Sequence, residues 1–135
     1  MLAETIKIII ADDHSPFRNA LKKVFKKTSE FNVELLGEAE NGQQLVQLVE
    51  RVQPDIVISD VGMPVMDGIE ATSIIKRRFP NVKVIAFSLF DDDVHINGMI
   101  NAGASGYLLK NISLEDFISG ITIVYGGSTY IKTSV

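Results

Sequence analysis

Residues 56–68, IVISDVGMPVMDG, pass from an apolar run into a carboxylate and then through Gly, Met and Pro to an Asp-Gly pair. Ile56, Val57 and Ile58 show no polar alternation, so they read as a strand covered on both faces, as a parallel sheet requires. Asp60 leaves the core at the carboxyl end of that strand. The next six residues carry neither a helical nor a strand period. Asp67, with Glu70 three positions on, then resembles the capping box of a new helix. The stretch is one strand–loop–helix unit with a carboxylate at its turn.

The same unit recurs along the chain. Short β-branched runs at 6–11, 33–39, 56–59, 82–87 and 106–109 alternate with segments of helical period. In the first helix Phe17, Ala20, Leu21, Val24 and Phe25 share a face, and Ser15-Pro16 predict its N-cap and first position. Asn41 opens a second helix with Leu45, Leu48, Val49 and Val52 inward, and Pro54 closes it. Asp91 is expected to cap a fourth, ending at Gly103. Ser113 opens a fifth, whose inner stripe is read as Leu114, Phe117, Ile118 and Ile121, before Gly126-Gly127. Right-handed crossovers then predict a doubly wound three-layer α/β sandwich, with strand order 2-1-3-4-5 and a ligand crevice at the carboxyl ends of strands 1 and 3.

Composition sets the bounds. At 135 residues, 46% hydrophobic and 22% charged, the chain fits one domain. It shows no apolar run of membrane-spanning length and no leader at its start, so a soluble cytoplasmic protein with no membrane partner is expected. With no cysteine there is no disulfide or thiolate metal site. A net charge of −4 and a pI near 5.1 argue against non-specific nucleic-acid binding by this domain.

Parallel strands bring their carboxyl ends to one rim, which here carries Asp12 and Asp13 after strand 1, Asp60 after strand 3, Ser88 after strand 4 and Lys110 after strand 5. Each alone reads as a cap, a turn residue or a solvated side chain. Together they crowd three carboxylates, which must carry an elevated pKa or hold a cation. All-oxygen ligands favour a hard ion, and an open carboxylate site suits Mg²⁺ better than a closed Ca²⁺ cage. Lys110 and the Ser88 hydroxyl are placed to receive an anion. An anion bound opposite a carboxylate suggests attack by that carboxylate, and Asp60 is the candidate nucleophile for phosphoryl transfer. His14 and His95 lack zinc-ligand spacing and are assigned no role. Lys22, Lys23, Lys26 and Lys27 form a basic stripe on the first helix, read as a solvated face that could also steer a partner.

Asp12-Asp13, Asp60 followed by Met63-Pro64 and Asp67-Gly68, Ser88, and Gly106-Tyr107-Leu108-Leu109-Lys110 together resemble the receiver domain of two-component response regulators. Phe87-Ser88-Leu89-Phe90 and the ending Tyr125-Gly126-Gly127-Ser128-Thr129-Tyr130-Ile131 are most similar to receivers of LuxR/NarL-type transcription factors. The resemblance implies a flavodoxin-like (βα)5 fold and phosphoryl acceptance on Asp60 from a histidine kinase or histidine phosphotransfer protein. It implies Mg²⁺ held by Asp12, Asp13, Asp60 and the Gly62 carbonyl, with Ser88 and Lys110 on the phosphoryl group. Ser88 and Tyr107 would be switch residues, Tyr107 swinging inward, with homodimerisation on phosphorylation a further expectation.

Residues 1–125 are then the receiver, and 126–135 a tail or the start of a linker to an absent helix-turn-helix domain, the only route to DNA. The alternative is a stand-alone shuttle or protein–protein switch. No enzymatic turnover is expected beyond self-phosphorylation and dephosphorylation. Two departures from the family pattern stand out. Asn111 follows Lys110 where many relatives have proline, so a cis bond there would cost about 3 kcal/mol. Leu89 and Phe90 replace a small and a polar residue, and Phe90 is expected to screen the acyl phosphate from water. A flavin carrier would need a Ser/Thr/Gly-rich phosphate loop in place of Asp12-Asp13. A haloacid-dehalogenase-type phosphatase would need an acid where Gly62 stands. The remaining rival is an interaction module that works without phosphorylation.

Overall fold

Six parallel strands form one sheet in the order β2-β1-β3-β4-β5-β6 in the computed structural model, which describes residues 4–133. The strands are β1 Thr5–Ala11, β2 Asn32–Ala39, β3 Ile56–Ser59, β4 Lys83–Ser88, β5 Gly106–Leu109 and β6 Tyr130–Lys132. The helices between them are α1 Ser15–Lys27, α2 Gly42–Val52, α3 Gly68–Arg78, α4 Asp93–Ala102 and α5 Leu114–Tyr125. The expected order holds for the first five strands. The sixth is new, because Tyr130–Lys132 pairs alongside β5 within the segment read as a tail. Gly106 lacks the side chain that would crowd the Tyr130 carbonyl across that edge.

Alternation along each strand feeds two cores. Ile9, Val57, Val84, Ala86 and Tyr107 face α2, α3 and α4, where Leu45, Val49, Ala71, Ile75 and Met99 meet them. Ile8, Ile10, Ile56, Ile58, Ile85 and Leu108 face α1 and α5, where they meet Leu21, Phe25, Phe117, Ile121 and Val124. Burial on both faces is why these strands lack a polar phase.

Helix starts depart from expectation in two places. The N-cap of α1 is His14 rather than Ser15, and no side chain caps it; instead the Asp12 carboxylate accepts from the His14 N–H at 2.9 Å, so the turn belongs to the site. The N-cap of α4 is Asp92 rather than Asp91, accepting from the His95 N–H. Asn41, Asp67 and Ser113 cap α2, α3 and α5 as read, and Gly103 ends α4 at φ +111°. Leu114, expected inward, is exposed at the first position of α5, as are Ala20 and Val52 on their helices. Every peptide bond among the described residues is trans, Lys110-Asn111 included. No helix among them is long and apolar enough to cross a membrane.

Candidate phosphoacceptor site

The sheet's hydrogen-bond ladder runs on into the rim and fixes its residues. The Asp12 N–H donates to Ala39 O at 3.0 Å, the Asp60 N–H to Ala11 O at 2.9 Å, and the Lys110 N–H to Ser88 O at 2.9 Å. Asp12 and Asp60 thus project from the neighbouring ends of β1 and β3, and Lys110 reaches them from the end of β5, one strand beyond β4, with β1 between β2 and β3 at the point where strand order reverses. The loop behind Asp60 is tied back as Gly68 N–H donates to Val61 O at 2.7 Å. Gly68 opens α3 directly against the Asp60 carbonyl, an approach that a side chain at that position would block.

Lys110 lies at the centre. Its side chain is 2% exposed, and Nζ lies 2.7 Å from Asp12 Oδ2 and 3.2 Å from Asp60 Oδ2, both carboxylates being buried. The Phe17 ring, from α1, sits 3.8 Å from Nζ and supplies a further face for the cation. The other oxygen of Asp60 accepts from the Val61 N–H at 2.7 Å. Burial, reinforced by the Asp12 charge, pushes the Asp60 carboxyl above its ordinary value, while Lys110 and the Val61 N–H oppose the rise.

Asp13 and His14 complete the rim on the solvent side. His14 Nδ1 lies 3.1 Å from Asp13 Oδ1 and 3.3 Å from Asp12 Oδ1. One ligand atom from each of Asp12, Asp13, His14 and Asp60 can be chosen so that all lie within 4.8 Å of one another. Three carboxylates against one ammonium leave a deficit that a single divalent cation neutralises, and hard oxygen donors suit Mg²⁺. The acidic cluster is compatible with metal binding. Gly62, exposed two residues beyond Asp60, is in the same loop.

Ser88 is fully buried, and its Oγ accepts from the Phe90 N–H at 3.1 Å while its hydroxyl also interacts with the Tyr107 phenol. Tyr107 already points inward: it is fully buried, and its hydroxyl donates to the Phe90 carbonyl at 2.6 Å. Burial raises its phenol pKa, with the charges of Asp92, Asp60 and Asp91 adding to the rise and the Ser88 hydroxyl opposing it.

Of the predicted residues, Asp12, Asp13, Asp60 and Lys110 meet directly at the rim. Ser88 borders them through its carbonyl bond to the Lys110 N–H, Tyr107 joins Ser88 through Phe90, and Gly62 lies in the loop behind Asp60. Four residues were missed. His14 borders the cluster through the turn that Asp12 holds. Phe17, read only as core, lies against Lys110. Arg18 donates from Nη1 to the Asp12 carbonyl at 2.6 Å and from Nε to Glu38 at 2.9 Å, clamping the end of β1. His95 stacks on Phe90. The signal available for Phe17 and Arg18 was their place one turn after Asp12-Asp13, where a helix leaving the rim must face it.

Compared with known proteins, residues 8–122 match the response regulator receiver domain. The chain is 38% identical over 130 residues to the transcriptional regulatory protein DegU of Brevibacillus brevis, covering 96% of this chain and 54% of that protein. It is 37% identical over 122 residues to the transcriptional regulatory protein LnrK of Bacillus subtilis, covering 90% and 54%. It thus spans about half the length of these relatives. A LuxR-family two-component response regulator from Aurantimonas sp. SI85-9A1 superposes with a TM-score of 0.85 at 25% identity, over 93% of this chain and 89% of that one.

Proposed function

Because the chain belongs to the response regulator receiver family, of the LuxR/NarL type, we propose that it accepts a phosphoryl group on Asp60 from a histidine kinase or histidine phosphotransfer protein. The observation that carries this reading is the buried Lys110 ammonium shared by Asp12 and Asp60. A carboxylate kept out of water beside a fixed cation is a held nucleophile whose charge is partly offset before any substrate arrives.

In the transfer, an Asp60 oxygen forms a bond to phosphorus as the phosphorus–nitrogen bond of the donor phosphohistidine breaks. The leaving imidazole keeps the electron pair and takes a proton from solvent. Burial raises the Asp60 pKa, so Lys110 and the Val61 N–H matter before the transfer as well, by keeping the attacking group ionised. Afterwards Lys110 turns to a phosphoryl oxygen, and the Ser88 hydroxyl, whose lone pair already holds the Phe90 N–H, donates to another. Mg²⁺ held by Asp12, Asp13, Asp60 and the Gly62 carbonyl would neutralise phosphoryl oxygens.

The modified rim is read by the rest of the protein. Ser88 is hydrogen-bonded to Phe90, and Phe90 to Tyr107, so a charge placed at Ser88 acts on β4, α4 and β5 together. Output is then a binding event: homodimerisation, and control of a DNA-binding domain outside this chain, as supported by relatives about twice its length that are named transcriptional regulators. The chain turns over no small-molecule substrate beyond its own phosphorylation and dephosphorylation.

Incubation with Mg²⁺ and acetyl phosphate, followed by intact mass, tests the reading. One phosphoryl adduct is expected, lost with EDTA and in Asp60→Asn. An adduct that survives in Asp60→Asn, or none in the native chain, overturns it.

A further inference from the structure

The Phe90 ring and the His95 imidazole lie face to face, 3.9 Å between centroids and 4° between planes. His95 is on the first turn of α4, and its Nδ1 lies 2.7 Å from both carboxylate oxygens of the N-cap Asp92, so the imidazole is held from within its own helix. Phe90 reaches in the other direction to the loop behind Asp60, where a Cβ built on Gly62 would meet its ring at 3.0 Å. Its backbone is fixed at both ends of the residue, the N–H on Ser88 Oγ and the carbonyl under the Tyr107 hydroxyl. Phe90 is 40% exposed, so it is a roof rather than part of the core. It bridges the segment after Ser88 and the segment after Asp60, at the two strand ends between which a phosphoryl group on Asp60 would sit.

We propose that His95 is a positioning residue for the phosphorylated site: by stacking on Phe90 it keeps that ring across the gap between Ser88 and Gly62 and slows attack by water on the Asp60 acyl phosphate. The inference rests on Asp60 being the phosphoacceptor. In the reaction it restrains, a water oxygen bonds to phosphorus and the phosphorus–oxygen bond to Asp60 breaks. The carboxylate is regenerated, inorganic phosphate departs, and the water's proton passes to solvent. Water needs a path to phosphorus from the side away from Asp60, and an apolar ring that can swing aside admits it more often than one pinned by a second ring. The Asp92 carboxylate restrains the imidazole edge, so the stack is preorganised rather than formed when the phosphate arrives.

The full chain is charged with acetyl phosphate and Mg²⁺, desalted, and followed by intact mass for loss of the adduct. His95→Ala should shorten the half-life roughly fivefold, the scale expected for losing one aromatic pair. His95→Phe keeps a flat partner for the ring and should stay within about twofold of the native chain. Phe90→Ala should match His95→Ala, and the double variant should be no faster than Phe90→Ala alone, because both changes open the same roof. A native half-life in His95→Ala overturns the proposal. So does a half-life in His95→Phe as short as in His95→Ala, or a further acceleration in the double variant. If the native chain takes no phosphoryl group, the phosphoacceptor reading fails and the proposal fails with it.

Discussion

Val65 adopts φ +68° in the loop behind Asp60, a conformation in which its branched Cβ crowds the backbone. It is 77% exposed, so packing returns nothing for that strain. Val65→Asn, which tolerates the left-handed region, should therefore stabilise the protein by about 1 kcal/mol in urea unfolding. An unchanged or lower midpoint would show that the loop relaxes around valine. At this scale the sequence was informative about charge and poor about neighbours. Asp12, Asp13, Asp60 and Lys110 were legible because the carboxyl end of a parallel strand has one place to go. His14, Phe17 and His95 were not, because their contacts depend on where a turn ends and on the phase of a helix, and one residue of error rotates a helical side chain by about 100°. Ser15 shows the same limit. It has the right chemistry for a cap, yet the helix begins on it, and Asp12 satisfies the turn instead.

Helix α1 is bound to the sheet through β2 as well as through its apolar face. Glu38 of β2 receives Lys22 Nζ at 2.9 Å and Arg18 Nε at 2.9 Å. The Lys22 hydrogen bond, assisted by Arg18 against partial burial, holds the Glu38 carboxyl below its ordinary value of 4.5. A lowered folded-state pKa means that the ionised form stabilises the fold above the unfolded value, and that this stability is lost as pH falls through the folded one. The pair is solvent-screened, so Glu38→Gln should cost only about 0.5–1 kcal/mol at pH 7. The difference from the native chain should shrink in unfolding curves taken at successively lower pH below 4.5. A penalty that stays constant with pH would assign it to packing. Lys22 thus leaves the basic stripe for a structural role, and Lys23, Lys26 and Lys27 remain exposed on that face. Strand β6 escaped the sequence reading because three residues after Gly126-Gly127 are too short to show a period, and only the free edge of β5 gives them a place.

Across the whole molecule, the two cores and the rim follow from one arrangement. Strands with apolar residues on both faces need helices on both sides, and crossovers in opposite directions from β1 open a crevice at β1 and β3. The apolar run that begins at Ile56 is the central strand of that sheet, and the loop after it forms the wall of the crevice, closed by Gly68 against the Asp60 carbonyl. Fold and rim were legible because both depend on period and topology. The stack that roofs the rim depends on side-chain contact, which the pattern does not carry. The claim that unites these levels is that Asp60, alone among the crowded carboxylates, takes the phosphoryl group. Borohydride reduction of the phosphorylated chain converts an aspartyl phosphate to homoserine, and peptide mapping then reads its position. Homoserine at position 60 and at no other aspartate is the predicted result; homoserine at Asp12 or Asp13, or none at all, would contradict it.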